Sequence, residues 1–349
     1  MVRLNGSRIT ASRWAIIAVR WALGLAIIGL LLMRFDLGAV VSTLRQANLA
    51  LAVPAIAGLV AVHLVGAATW CMLSLRIAEV PLRWRKAART YYVAQGIGGL
   101  TPGNIGADAY RLYVAGDETG WRRALLPIVV QRVTSSIALA LIATVALIAL
   151  PRPGEIAGMV VGAAILLVLA SSAVVLAVWR PRSTGWLTRR DGEPRLGQGI
   201  LRRASARRLM AGAWLGITMG LAFHAGSILL SYALVAAIAP VRDPLPVIGS
   251  IAIARLSILL PISPSGLGFQ EGALSLLFLR IGLPAETALA AALLNRVALL
   301  ATSGLGAVFL VAARRDNAAD GAAEQPAKAS AGPQPAIRSI PGGHTDGAR

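Results

Sequence analysis

"GGLTPGNIGADAYRLYVAG" occupies Gly98–Gly116. Four glycines and a proline fall between Gly98 and Gly106, and Asp108 and Arg111 follow at once. Gly and Pro break regular helix, yet the residues on either side are overwhelmingly apolar. Of the 349 residues, 56% are hydrophobic and only 14% charged, and the mean hydropathy is +0.70. A soluble domain carries about 25% charged residues. The apolar residues come in long runs, several reaching the roughly 20 residues that cross about 30 Å of hydrocarbon. The chain therefore reads as an all-α, polytopic transmembrane bundle. Broken backbone and charge between its spans need a place to go.

Six full spans are predicted: Trp14–Met33, Leu49–Met72, Ala124–Leu150, Ile156–Trp179, Leu209–Ala239 and Ala285–Ala313. The first follows Arg3, Arg8 and Arg13 as a signal peptide would. It runs on too long, with no small-residue cleavage site before "MRFD" (33–36), and reads as a retained span. Arg and Lys in short loops set the orientation. The N-terminus, the stretch Arg76–Arg89, the nine arginines of Arg180–Arg208 and the pair Arg314–Arg315 are all expected in the cytoplasm. The charge-poor loops near Phe35–Asn48, Pro151–Glu155 and Pro240–Pro244 are expected outside. From Asp316 onward the Ala-, Gly- and Pro-rich residues 316–349 read as a disordered cytoplasmic tail.

Parity then accounts for the opening stretch. Arg89 is inside, and so are Arg122 and Arg123, just before the third span. Residues 91–116 therefore enter from the cytoplasm and return to it as a re-entrant hairpin. Non-helical backbone at that depth is tolerated where protein buries it or water reaches it. The same argument applies to residues 245–282, with "LPISPSGLGFQEG" in their middle. They enter from outside and return outside.

The two halves match each other. His63 pairs with His224 at a separation of 161, Pro102 with Pro264 and Gly106 with Gly268 at 162, Asp108 with Glu271 at 163, and Arg132 with Arg296 at 164. The ordered series at nearly constant offset marks an internal repeat. Residues 1–150 form the first unit and 151–315 the second. Three crossings per unit is an odd number, so the second lies inverted. Inverted repeats with broken helices near the midplane are a plan of secondary transporters.

The charge of +19 reads as loop Arg facing the cytoplasm and anionic lipid rather than nucleic acid. Cys71 is the only cysteine and His63, His224 and His344 are scattered, so neither a disulfide nor a metal site is expected, and no cofactor. Arg132 and Arg296 lie eight and eleven residues inside their spans, where an uncompensated charge costs several kcal/mol; Arg20 is read as snorkelling. Asp108 and Glu271 are the expected partners. Each pair can open to a lipid phosphate, which suits the guanidinium fork, or can be a permanent ion pair holding a hairpin to a span. Gly103, Gly106, Gly266 and Gly268 can aim amides at an anion or simply pack closely. Arg111 and Gln270 flank the tips, and Arg255 and Arg280, on the limbs of the second hairpin, can line a cavity or face headgroups. His63 and His224 are candidate proton carriers or helix-packing residues. Trp14, Trp21, Trp179 and Trp214 read as interface anchors.

"GGLTPGNIGADAYRLYVAG", the following "QRV" and "LPISPSGLGFQEGALSLLFLRIGLP" resemble the signatures of the lysylphosphatidylglycerol synthase transmembrane-domain family over about Trp14–Ala313. The family pattern at the first tip is Pro-Gly-x-x-Gly-Gly-Asp followed by Arg. Pro102, Gly106, Asp108 and Arg111 match it, while Ala107 replaces the second glycine. Where the family often has Arg-Glu, this chain has Gln270–Glu271. The resemblance implies movement of an anionic phospholipid or polyprenyl-phosphate-type lipid between leaflets of the bacterial inner membrane, with a lipid-modifying enzyme as a possible partner. Only a short tail follows the spans, so lipid aminoacylation is not expected. The alternatives are a membrane-embedded enzyme on lipid phosphate or lipid-linked sugar, though no nucleophile–base cluster is visible, and a non-transporting partner of a lipid-modifying enzyme.

Overall fold

The structure, a computed structural model, describes residues 6–101, 104–150, 154, 157–158, 160–162, 164–165, 206–259 and 263–330. Every regular element among them is helical: α1 (Gly6–Arg34), α2 (Leu37–Arg45), α3 (Leu49–Ala61), α4 (His63–Ala78), α5 (Trp84–Gly99), α6 (Ile105–Thr119), α7 (Trp121–Ala146), α8 (Ala206–Ala236), α9 (Pro244–Ala254), α10 (Phe269–Arg280) and α11 (Ala285–Ser330). Short 3-10 turns follow α7 at Leu147–Ala149 and α9 at Arg255–Leu259. Asp36, Asn48 and Asp243 start α2, α3 and α9 by accepting hydrogen bonds from first-turn amides, as short polar side chains do at helix N-termini.

Four stretches are long and apolar enough to cross a bilayer: Leu49–Ala78, Arg123–Ala146, Arg207–Ala236 and Ala285–Ala312. They coincide with the second, third, fifth and sixth predicted spans. Ala18–Arg34 and Leu37–Arg45 supply a fifth if taken together across a 90° bend. The fourth predicted span, Ile156–Trp179, lies largely outside the described residues. The outward faces are apolar, with Met33 and Ile148 each 85% exposed, as expected where lipid rather than water is the solvent.

Residues Met1–Ala307 form one compact unit and Val308–Arg349 another. Within the first, α8 packs on α7, α4 and α3. Small residues allow the close approach: a Cβ at Gly216 would stand 2.3 Å from Thr134 Oγ1, the small-residue packing of membrane helices. In the second unit helical backbone continues past Asp316 to Ser330, where alanine, the strongest helix former, recurs.

Each stretch predicted as a hairpin holds two helices in contact, α5 with α6 and α9 with α10. The limbs of the first, α5 and α6, have 16 and 15 residues, about 24 Å or less at 1.5 Å per residue and short of the roughly 30 Å a span must cover. Thr101 fastens its tip: its hydroxyl donates to the Gly98 carbonyl at 3.0 Å and accepts from the Gly106 amide at 2.9 Å. Asn104 follows in the left-handed region with φ 58°, its amide donating to Gln95 Oε1 at 3.2 Å. A Cβ at Gly98 would lie 1.7 Å from Asn104 Oδ1, so no side chain fits there. In the second hairpin α9 is exposed at Pro244 and Leu245, buried from Gly249 to Ala254, and packs on α7 and α10. Its core includes Phe278, Val235, Val247 and Ile251.

Candidate functional site

The hairpin tips and the spans around them enclose a cavity of about 240 Å³. Gln95, Asn104, Asp108 and Arg111 come from the first hairpin, and Arg255, Ser265 and Gln270 from the second. α7 contributes Gln131, Arg132 and Ser135; α8 contributes His224, Ser227 and Ser231; α11 contributes Asn295 and Thr302. The broken backbone of the opening stretch therefore does a definite job: it brings polar side chains to a recess inside an apolar bundle.

Asp108, on the first turn of α6, holds two guanidiniums. One carboxylate oxygen accepts from Arg111 Nη2 and the other from Arg132 Nη1, the latter at 2.6 Å. The two arginines differ in freedom. Arg111 is 6% exposed, donates to Gln131 Oε1 at 2.7 Å and lies 5.6 Å from the Trp70 ring and 5.2 Å from that of Tyr91, within cation–π range. Gln131 in turn donates to the Gly66 carbonyl at 2.8 Å. Arg111 is thus a fixed anchor that orients Asp108. The Arg132 side chain is 34% exposed and that of Asp108 20%, so this pair faces the open part of the cavity.

The corresponding pair in the second half is sealed. Arg296 Nε donates to Glu271 Oε1, and the side chains are 10% and 3% exposed. The other Glu271 oxygen accepts from the Gly268 amide at 2.7 Å, and Arg296 Nη1 donates to the Ser265 carbonyl at 3.2 Å. Glu271 therefore caps the helix it begins and ties the tip to α11. Gly268 has φ 77°, and a Cβ there would stand 2.4 Å from the Gly24 carbonyl oxygen. Only glycine meets both demands.

Arg255 enters the cavity from the end of α9. Its Nη2 donates to the Ser227 carbonyl at 3.1 Å and to Ser231 Oγ at 2.9 Å, both neutral oxygens. Its Nε is buried without a hydrogen-bond partner, and no carboxylate among the described residues pairs with it. His224 Nε2 lies 3.0 Å from Ser135 Oγ, and Nδ1 of His63 lies 3.0 Å from the Leu59 carbonyl. The Phe223 ring stands edge-on to both imidazoles, with centroids 5.5 and 5.1 Å away.

A family model described as the lysylphosphatidylglycerol synthase TM region matches residues 17–306. The chain belongs to that family. It is a multi-pass membrane protein of a lipid-related family, and the match spans both hairpins and the whole cavity. No curated protein matches it.

Several residues singled out in the sequence have places the sequence did not distinguish. Asp108, Arg111, Arg132, Gln270, His63 and His224 line the cavity; Glu271 and Arg296 lie outside its lining and brace the second hairpin. Gly106 and Gly268 donate their amides to Thr101 and Glu271, and Gly266 donates to the Ser263 carbonyl at 3.3 Å. Those three amides are committed to the turns. Pro264 is buried in the second tip. Pro102 and Gly103 lie outside the described residues. Of the two arginines on the second hairpin, Arg255 lines the cavity while Arg280 is exposed at the end of α10. The ring of Gln95, Asn104, Ser135, Ser231, Asn295 and Thr302 was not anticipated. Its only sequence signal is single amide or hydroxyl residues inside apolar runs.

Proposed function

We propose that this protein moves an anionic, phosphate-bearing lipid between the leaflets of the bacterial cytoplasmic membrane, with both termini in the cytoplasm. The observation that carries the reading is the cavity between the hairpin tips, where three arginines face one carboxylate. Counting the histidines as neutral, that lining is cationic, and it lies within an apolar bundle where charge is costly without a function. The headgroup enters the cavity while the acyl chains remain in lipid. A phosphate oxygen competes with Asp108 for Arg132. Asp108 keeps its bond to the fixed Arg111, so Arg132 changes partners without leaving a carboxylate stranded. Reversing that exchange releases the headgroup.

Reconstituted into liposomes, the wild type is expected to equilibrate fluorescent phosphatidylglycerol between leaflets. Arg132→Lys keeps the charge but loses the planar fork, and exchange should slow about tenfold or more, the loss set by about 1.4 kcal/mol or greater, with the protein still folded. Wild-type exchange no faster than in protein-free liposomes would overturn the reading.

Movement in both directions requires access from both faces, which the inverted repeat supplies: the first hairpin enters from the cytoplasm and the second from outside. In a Cys71→Ser background, Arg85→Cys and Asp117→Cys flank the first hairpin, and Arg242→Cys and Arg280→Cys the second. Impermeant thiol reagents should reach the first two from the cytoplasmic side alone and the last two from the outer side alone. Labelling of all four from one side would refute the inverted arrangement.

A further inference from the structure

We propose that the headgroup is a phosphodiester ending in a neutral, hydroxyl-bearing group with no ammonium, and that Arg255 takes its phosphate together with Arg132. The inference rests on reading the cavity as a lipid-headgroup site, and three observations support it. The first is charge. Among the described residues Asp108 is the one carboxylate in the lining, and its two oxygens accept from Arg111 and Arg132. An ammonium-bearing headgroup would meet three guanidiniums against a single carboxylate that stays bonded to Arg111, and like charges in a site of reduced dielectric repel strongly.

The second is Arg255 itself. It donates only to neutral oxygens, its Nε is buried without a partner, and no described carboxylate pairs with it. A buried cation so placed is costly, and a phosphate oxygen supplies both the missing charge and the missing acceptor. The third is the set of uncharged polar groups in the lining, beside apolar residues such as Leu59, Leu139 and Phe223. Gln95, Asn104, Ser135, Gln270, Asn295 and Thr302 are neutral amides and hydroxyls, groups that both accept from and donate to alcohols. At about 240 Å³ the cavity falls just below the roughly 300 Å³ at which ordinary small-molecule pockets begin. It therefore suits a short polyol or a single sugar rather than a long oligosaccharide.

The test is native mass spectrometry of the purified full-length protein offered an equimolar mixture of phosphatidylglycerol, phosphatidate, phosphatidylethanolamine and lysyl-phosphatidylglycerol with identical acyl chains. Phosphatidylglycerol should be retained about tenfold or more over each of the two ammonium-bearing lipids, and also above phosphatidate, which lacks the polyol. Arg255→Gln should lower its retention about tenfold or more, as loss of a buried charged hydrogen-bonding partner does. Ser231→Ala removes a single acceptor of Arg255 and leaves the charge in place. With one competing acceptor gone, retention of phosphatidylglycerol should rise severalfold in protein of normal thermal stability, which keeps the test valid where Arg255→Gln folds poorly. Equal retention of either ammonium-bearing lipid, preference for phosphatidate, or unchanged retention in both variants would overturn the assignment. Leaflet exchange of the same four lipids separates this from the translocation reading. Selective retention without exchange refutes translocation and leaves the headgroup assignment standing. Exchange of all four at equal rates does the reverse.

Discussion

Glu271→Gln is expected to lower the stability of the folded protein by about 3–5 kcal/mol, the cost of stranding one member of a buried ion pair. Gln keeps an oxygen that can accept the Gly268 amide, so the cap at the start of α10 survives while the charge opposite Arg296 is lost. Arg296 then retains only its bond to the Ser265 carbonyl, with Nη2 already lacking a partner. Thermal unfolding in detergent, followed by the loss of monodisperse protein, reads the effect. The double variant Glu271→Gln/Arg296→Met removes both charges and should recover much of the loss. A Glu271→Gln protein as stable as the wild type would show that the pair does not brace the second hairpin.

Asp108→Asn should behave differently because its surroundings are wetter and Arg111 has other support. The Asn oxygen can still accept from one guanidinium, Gln131 still accepts from Arg111, and the Trp70 and Tyr91 rings still flank it. Folding should survive. The displaceable competitor for Arg132 is gone, so anionic lipid should be held more tightly and released more slowly. The expected result is leaflet exchange reduced about tenfold or more, at a cost of about 1.4 kcal/mol per factor of ten, together with increased retention of phosphatidylglycerol. Reduced retention and reduced exchange together would mean that Asp108 supports the site rather than competing with the ligand.

The contrast between these two carboxylates was the part least legible in the sequence. The repeat offset matched Asp108 with Glu271 and Arg132 with Arg296, and the structure contains both expected ion pairs. Sequence symmetry treats them as equivalent, however, and burial does not. Whether a pair faces water depends on the packing of α7, α8 and α11 around it, which a one-dimensional pattern does not encode. The helix breaks after α5 and before α10 were legible because Gly and Pro interrupt helices wherever they stand, and four of the predicted spans were legible because hydrophobic length needs no tertiary context. The glycine amides went the other way. Local turns at Thr101, Ser263 and Glu271 claimed donors that the motif offered equally well to a ligand. Arg255 and Arg280 share a hairpin, but Arg255 follows α9 toward the tip while Arg280 ends α10 at the base, and nothing in the sequence marks how deep each stands among the packed helices.

The central claim is that an intact anionic lipid crosses the bilayer by way of this cavity. The most direct measurement follows fluorescent phosphatidylglycerol in proteoliposomes by quenching the outer leaflet, with mass spectrometry of every lipid in the same sample. The account predicts exchange that depends on the protein, is lost in Arg255→Gln, and leaves the lipid covalently unchanged. A new lipid species that forms in the wild type and disappears in Asp108→Asn would instead make the protein an enzyme and contradict the account.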